Sequence, residues 1–376
     1  MSKLSEMIKE LCPDGVEYKK LGEIAHYAKD RIKISDIDAR NYVGVEHLRQ
    51  NTEGREMSVT LPEVDFVISF YPEDILIGNI RPYLKKAWLA DCNGGTNGDV
   101  LTIRIVDKMY VSPQYLFYIL SSEQFFMYDM KYAKGAKMPR GDKKAVMNYA
   151  IPVPPLAIQN EIVKLLDNFT ELTAELTAEL QLRKKQYSFY RDSLLNFSRD
   201  DAEVEWKTLG ETTKSISSGK NKIRVVDGEY PVYGSTGIIG YCTNFVYEHA
   251  QILVARVGSV GYVQIADGRY DVSDNTLIVD VLSTINMKYI FYYLGYMNLS
   301  RLAHGAGQPL ITAGQLKKLI IPIPPLETQA KIVSILDRFD ALCHDLTQGL
   351  PAEIAARKKQ YEYYREKLLT FPRKDA

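Results

Sequence analysis

The sequence predicts a mixed α/β protein built twice over. Two globular heads are each followed by a long helix, and the helices pack as an antiparallel coiled coil under a pseudo-twofold internal repeat. Three observations carry this. A proline-rich hinge, Ile151-Pro152-Val153-Pro154-Pro155-Leu156 with Gln159, Ile162, Val163, Leu166, Asp167 and Phe169 behind it, returns as Ile321-Pro322-Ile323-Pro324-Pro325-Leu326 with Gln329, Ile332, Val333, Leu336, Asp337 and Phe339. A basic helix end, Arg183-Lys184-Lys185-Gln186-Tyr187 with Tyr190 and Arg191, returns as Arg357-Lys358-Lys359-Gln360-Tyr361 with Tyr364 and Arg365. The heads also open alike, Val16-Glu17-Tyr18-Lys19-Lys20-Leu21-Gly22-Glu23 against Val204-Glu205-Trp206-Lys207-Thr208-Leu209-Gly210-Glu211. The expected boundaries are 1–155 for the first head, 156–199 for the central helix, 200–325 for the second head and 326–376 for the C-terminal helix.

In chain order, the first head offers short β-rich runs at 74–77 and 100–106 and an aromatic helix at 115–120. The prolines of the hinge cannot donate hydrogen bonds and force extended backbone before them, so the head leaves stiffly into its helix. Residues 158–197 contain neither Gly nor Pro, and Ile158, Ile162, Leu165, Phe169, Leu172 and Leu176 recur at alternating spacings of four and three, with Leu180 following. Forty such residues span roughly 60 Å. The second head repeats the runs at 251–254 and 276–281 and the aromatic helix at 289–294. Residues 327–371 repeat the seam with Ile332, Ile335, Phe339, Leu342 and Leu346, while Gly349, Leu350 and Pro351 predict a kink or break. Each apolar stripe needs a cover, and the other copy is the obvious one. Between these shared frames the heads diverge: 41–65 has no evident counterpart in 228–248.

A chain of 376 residues with 46% apolar and 25% charged residues has the composition of an ordinary globular protein. No apolar run reaches the roughly 18 residues of a membrane span, and residues 1–15 lack the apolar centre of a signal peptide. Cys12, Cys92, Cys242 and Cys343 are scattered without metal-ligand spacing and read as free thiols of a reducing compartment, so the cytoplasm is expected. The net charge is zero, but the cations cluster.

The doubled hinge, the doubled basic helix end and the order of heads and helices together resemble the specificity subunit of type I restriction–modification systems, over essentially the whole chain. Thr173-Ala174-Glu175-Leu176, repeated as Thr177-Ala178-Glu179-Leu180, is similar to the tetrapeptide repeat in the central spacer of one subgroup of that family. The resemblance implies a non-catalytic subunit whose heads are target recognition domains, each reading one half of a split, asymmetric double-stranded DNA sequence. It implies that the helices space the halves and dock two modification subunits, with two restriction subunits completing the complex. S-adenosylmethionine, ATP and Mg²⁺ then act through those partners, and this chain carries no cofactor.

Candidate contacts follow from residue chemistry. The segments 135–140 and 305–310 align without gaps just before the hinges, and a Gly-rich turn lets backbone approach a partner. Lys134, Lys137, Arg140 and Lys143 there are expected to neutralise phosphates, as are Lys220, Lys222 and Arg224 in the second head. Base-edge candidates are Asn79, Arg81 and Lys85 in the first head and Ser235, Arg256, Ser259 and Gln308 in the second.

Catalysis finds little support. Pro154-Pro155 lacks the polar residue and the aromatic that flank a methyltransferase motif, and no Walker A sequence is present. Pro13-Asp14 with Glu17-Tyr18-Lys19 resembles a nuclease metal site only superficially, since the acids of such a site come from neighbouring strands and need more chain between them than the three positions here. His26, His47, His249, His304 and His344 show no metal spacing. Two rival functions are a catalytic nuclease or methyltransferase subunit and a coiled-coil scaffold that binds no DNA. Unlike loops on duplicated heads favour the DNA reader.

Overall fold

The computed structural model describes residues 2–374 other than 223, 306 and 346. The chain divides into two compact units, Met1–Glu175 with Ile354–Ala376, and Leu176–Glu353.

In the first unit a four-stranded antiparallel sheet runs in the order Ala25–Tyr27, Val100–Ile105, Ile75–Gly78, Ala87–Leu89. A second four-stranded sheet runs Arg31–Lys33, Phe66–Phe70, Gly94–Thr96, Tyr42–Val43, its last pair parallel. Ile75–Gly78 is buried at every residue, which its uninterrupted apolar run requires. In the second unit the corresponding sheet runs Thr213–Ser218, Thr276–Val281, Gln251–Ala255, Val263–Ala266, beside a three-stranded sheet of Gly237–Cys242, Tyr230–Gly234 and Asp271–Val272.

The repeat is reproduced bond by bond. Glu17–Lys20 pairs antiparallel with Ala150–Val153, Glu17 opposite Val153, and Glu205–Thr208 pairs with Ile320–Ile323, Glu205 opposite Ile323. The aromatic helices Pro113–Leu120 and Met287–Tyr296 are capped by the side chains of Ser112 and Asn286. From each, a fully buried tyrosine reaches the hinge: Tyr115 donates to the Pro152 carbonyl at 3.0 Å and Tyr289 to that of Pro322 at 2.8 Å. The glutamine of each hinge is buried and fully employed. Gln159 accepts from the Ser112 amide and donates to the carbonyls of Pro154 and Tyr110. Gln329 accepts from the Asn286 amide and donates to Pro324.

The long helix Leu156–Leu195 is unbroken, and the division between units falls within it. Its repeat is broken as expected, into Leu326–His344 and Leu350–Leu368. The second copy carries four more residues between matching motifs, Phe339 to Arg357 against Phe169 to Arg183, and the break lies within that stretch.

The side chains that pair the helices match the expected seam only in part: Phe169 and Phe339 belong to it, Tyr190 and Tyr364 do not. Ile158, Ile162 and Leu166 are fully buried in the first head's core, and Ile332, Val333 and Leu336 in the second's. The first turns of each helix are thus spent on the head, with Leu165 only packed along the margin. The contact between helices is aromatic and is made once in each unit by equivalent residues. Phe169 stacks on Tyr364 with centroids 5.5 Å apart, and Phe339 stacks on Tyr190 at 5.4 Å. Tyr187 also meets both Phe339 and His344, so the helices run antiparallel. Leu172, Ile335 and Leu342 remain 36–37% exposed and Leu176 half-buried, whereas Leu180 is buried; Leu346 lies outside the described residues. A strict four-three spacing misassigns this face because one helix serves two partners, the head and the other helix.

The first unit is closed by its own ends. The Val16 amide donates to the Pro372 carbonyl and Lys374 donates back to Val16, both at 2.9 Å. The Arg373 guanidinium lies 4.7 Å over the Tyr18 ring, as Arg199 lies 4.2 Å over Trp206 in the second unit. The four cysteines are free thiols.

Candidate nucleic-acid interface

Each head brings the end of a fully buried strand against a hairpin that follows the aromatic helix. The Gly141 amide donates to the Asn79 carbonyl and the Ile311 amide to that of Arg256, both at 3.0 Å. Lys134 and Arg140 exchange backbone bonds at 2.9 Å to close the first hairpin, and His304 and Leu310 close the second in the same way. Both turns need left-handed backbone at glycine, Gly135 at φ +104° and Gly305 at φ +121°. The unbroken alignment of 135–140 with 305–310 therefore corresponds to one structure built twice.

In the first head the expected contacts separate by how they are held. Lys134 is exposed but tied to Asp142 at 2.7 Å, and Arg140 to Asp99 at 3.2 Å. Lys137 and Lys143 are exposed and have no carboxylate partner among the described residues. Lys85 is paired with Glu123. Asn79 is buried, so its side chain faces the interior rather than a ligand. Arg81 is half-buried with an unpartnered Nε, and its amide donates to the Pro139 carbonyl at 2.7 Å, which places it beside the hairpin. Strand end, turn and hairpin thus bring Arg81, Lys134 and Arg140 onto one edge.

In the second head Arg256 reaches Ser218 at 3.4 Å, Ser235 packs against Gly258, and the exposed Gln308 rides the hairpin joined to Arg256. Ser259, Lys220, Lys222 and Arg224 are exposed. Arg224 packs along Gly240, near the three-stranded sheet, while Lys220 follows the strand carrying Ser218.

Two carboxyls of the first head titrate abnormally. The Lys134 ammonium, with the Ala145 and Lys144 amides, pulls Asp142 down to about 2. Burial, with the nearby Asp142 charge, pushes Asp129 up to about 6. Asp129 is wholly buried, and neither carboxyl oxygen has a hydrogen-bond partner among the described residues. Sequence reasoning missed Asp99 and Glu123 as acids occupying these cations; Asp142 lies beside the cluster in the chain and signals itself. Among the described residues no cluster of His, Cys, Asp or Glu could hold a metal ion, and no helix is long and apolar enough to cross a membrane.

A profile of the type I restriction modification DNA specificity domain matches residues 13–183 and again 203–356. The chain belongs to this family: it is a specificity subunit, the DNA-recognising and non-catalytic component of a type I restriction–modification system, and works with DNA and the other subunits of such a system. It is 37% identical over 282 residues to the EcoR124I/EcoR124II specificity subunit of Escherichia coli, covering 63% of this chain and 68% of that one. It is 30% identical over 388 residues to a putative type I restriction enzyme specificity subunit of Haemophilus influenzae, covering 95% and 96%. Its fold is similar to that of the type I S subunit from M. genitalium, with a TM-score of 0.60 at 16% identity over 94% of this chain and 96% of that one. The HsdS subunit from Thermoanaerobacter tengcongensis gives 0.53 at 20% identity over 96% and 97%.

Proposed function

We propose that the two heads read the two unlike halves of a bipartite, asymmetric double-stranded DNA target, and that the paired helices set the unread spacer between them. Two modification subunits dock on the helices and two restriction subunits complete the complex, in the cytoplasm. S-adenosylmethionine, ATP and Mg²⁺ act through those subunits. The observation that carries this reading is a single frame made twice with unlike surfaces. The hinge clamp, the tyrosine-to-proline bond and the closed hairpin are the same, while the exposed side chains around them differ. Coexpression with a modification subunit and mapping of methylated adenines should return one motif with two dissimilar halves. A single contiguous motif, or methylation without sequence preference, overturns the reading.

The tetrapeptide repeat supports the spacer role. One Thr-Ala-Glu-Leu unit is about 6 Å of helix and about 40° of rotation, at most about two base pairs at roughly 3.4 Å each. Adding or deleting a unit should change the spacer and leave both half-sites intact. Altered half-sites with an unchanged spacer in the methylation map refute it.

A further inference from the structure

Six non-glycine residues have left-handed backbone among those described, and four of them fall in two loops of the first head: Asn51, Thr52, Arg81 and Lys85, at φ between +51° and +58°. For a β-branched threonine that is a true outlier, and it costs the fold stability. The loops are joined directly, the Thr52 amide donating to the Lys85 carbonyl at 2.9 Å. The second of them is joined to the hairpin by the bond from Arg81 to Pro139.

The second head shows that the strain is not a requirement of the turn. Strand register equates Ile77 and Ala87, which face each other across the first turn, with Val254 and Val263 across the second. Counting inward from these pairs, Arg81 corresponds to Gly258 and Lys85 to Gly261. Both glycines are also left-handed, at φ +80° and +85°. The same backbone is made with glycine in one head and with long cationic side chains in the other. Lys85 is employed in its pair with Glu123. Arg81 has no ion pair among the described residues, and its Nε has no partner.

The neighbouring loop presents amides. Gln50 and Asn51 are exposed at its tip, above a groove lined by Glu46, Glu53 and Glu56. The two cations of that groove are already engaged, Arg49 with Glu56 and Lys86 with the Val45 carbonyl. Three carboxylates and no free cation among the described residues disfavour a phosphate there. A base edge suits the exposed side chains better, because an arginine matches guanine O6 and N7, and an amide matches adenine N6 and N7.

We infer that Gln50, Asn51 and Arg81 form the base-reading element of the first head, contacting the major-groove edges of its half-site while the hairpin lysines hold the phosphates. This rests on the half-site reading above and names the residues that perform it. The test uses the full complex with its modification subunit carrying Arg81→Gly, Asn51→Gly or Gln50→Ala. The two glycine variants relieve left-handed strain, so their melting temperatures should equal or exceed the parent's. Discrimination at one or two base positions should fall roughly tenfold to a hundredfold. All three variants should affect the same half-site, leaving the other half and the spacer intact. If the parent complex methylates a two-part motif and the variants leave both halves unchanged, or alter different halves, the inference falls alone. If the parent complex yields no two-part motif, the inference and the half-site reading fall together.

Discussion

The two hairpins share a backbone and differ in charge, the first cationic and the second neutral. The first runs from Lys134 to Arg140 with Lys137 at its tip, and Asp142 both caps the following helix and holds Lys134. The second runs from His304 to Leu310 with Gln308 in the place of Met138. Its helix is capped by a neutral box of Thr312 and Gln315. The backbone is dictated by buried groups common to both halves, so the side chains at the tip are free to differ. The exposed cations proposed for phosphate contact lie on and beside the hairpin in the first head and at Lys220, Lys222 and Arg224 in the second. A shared frame with freely varying tips is what a family of readers with different targets requires.

The frame itself should fail most severely at the hinge glutamines, and unequally. Replacing Gln159 by Leu strands the Ser112 amide and the carbonyls of Pro154 and Tyr110, whereas Gln329→Leu strands only the Asn286 amide and the Pro324 carbonyl. At about 1–3 kcal/mol per stranded buried group, and less for the part-buried Tyr110 carbonyl and Asn286 amide, the first change should cost roughly 4 kcal/mol and the second somewhat less. Denaturant unfolding followed by probes in each unit checks both the size and the order. Equal losses would show that the extra bond to Tyr110 contributes nothing.

A smaller effect should separate the heads by pH. The folded-state pKa of Asp129 is raised above its ordinary value, so between about pH 4 and 6 the folded chain binds more protons than the unfolded one. Stability from this group is full below the ordinary carboxylate value, falls as pH rises to about 6 and is then lost. Asp129→Asn should therefore stabilise the first unit at pH 7 by on the order of 2–3 kcal/mol. It should also flatten the unit's pH dependence across that window and leave the second unit's unfolding unchanged. Melts at about pH 4 and about pH 7, at the foot of the window and above it, give the comparison; a variant less stable than the parent at the higher pH breaks it.

Much of the frame was legible because its signals are short-range. Three prolines and a glutamine at fixed offsets specify a hinge, and Gly349 with Pro351 marks the helix break. The seam was read less well. Its spacing cannot tell a residue facing the head, such as Ile162 or Ile332, from one facing the other helix; Phe169 and Phe339 of the expected seam do pair the helices, but their partners Tyr190 and Tyr364 lay outside it. At the candidate interface, residue type located the cationic hairpin but not its state. Glu123, which occupies Lys85, lies 38 residues away. The burial of Asn79 depends on sheet pairing, and nothing local announces left-handed backbone at Thr52 or Arg81.

The smallest expected effect tests the electrostatic contrast itself. Each phosphate neutralised on B-DNA contributes about 0.9 to the slope of log affinity against log salt. Lys137→Gln and Lys143→Gln should each lower that slope for the assembled methyltransferase by about one unit without changing the methylated motif. Lys134→Gln should lower it by less, since Asp142 already holds that ammonium at 2.7 Å and would be left as an uncompensated anion. Gln308→Ala in the neutral hairpin should leave the slope untouched. Titrations at several salt concentrations distinguish these outcomes, and a full unit lost with Gln308, or none with Lys137 and Lys143, would show that phosphate contact is not divided between the heads in this way.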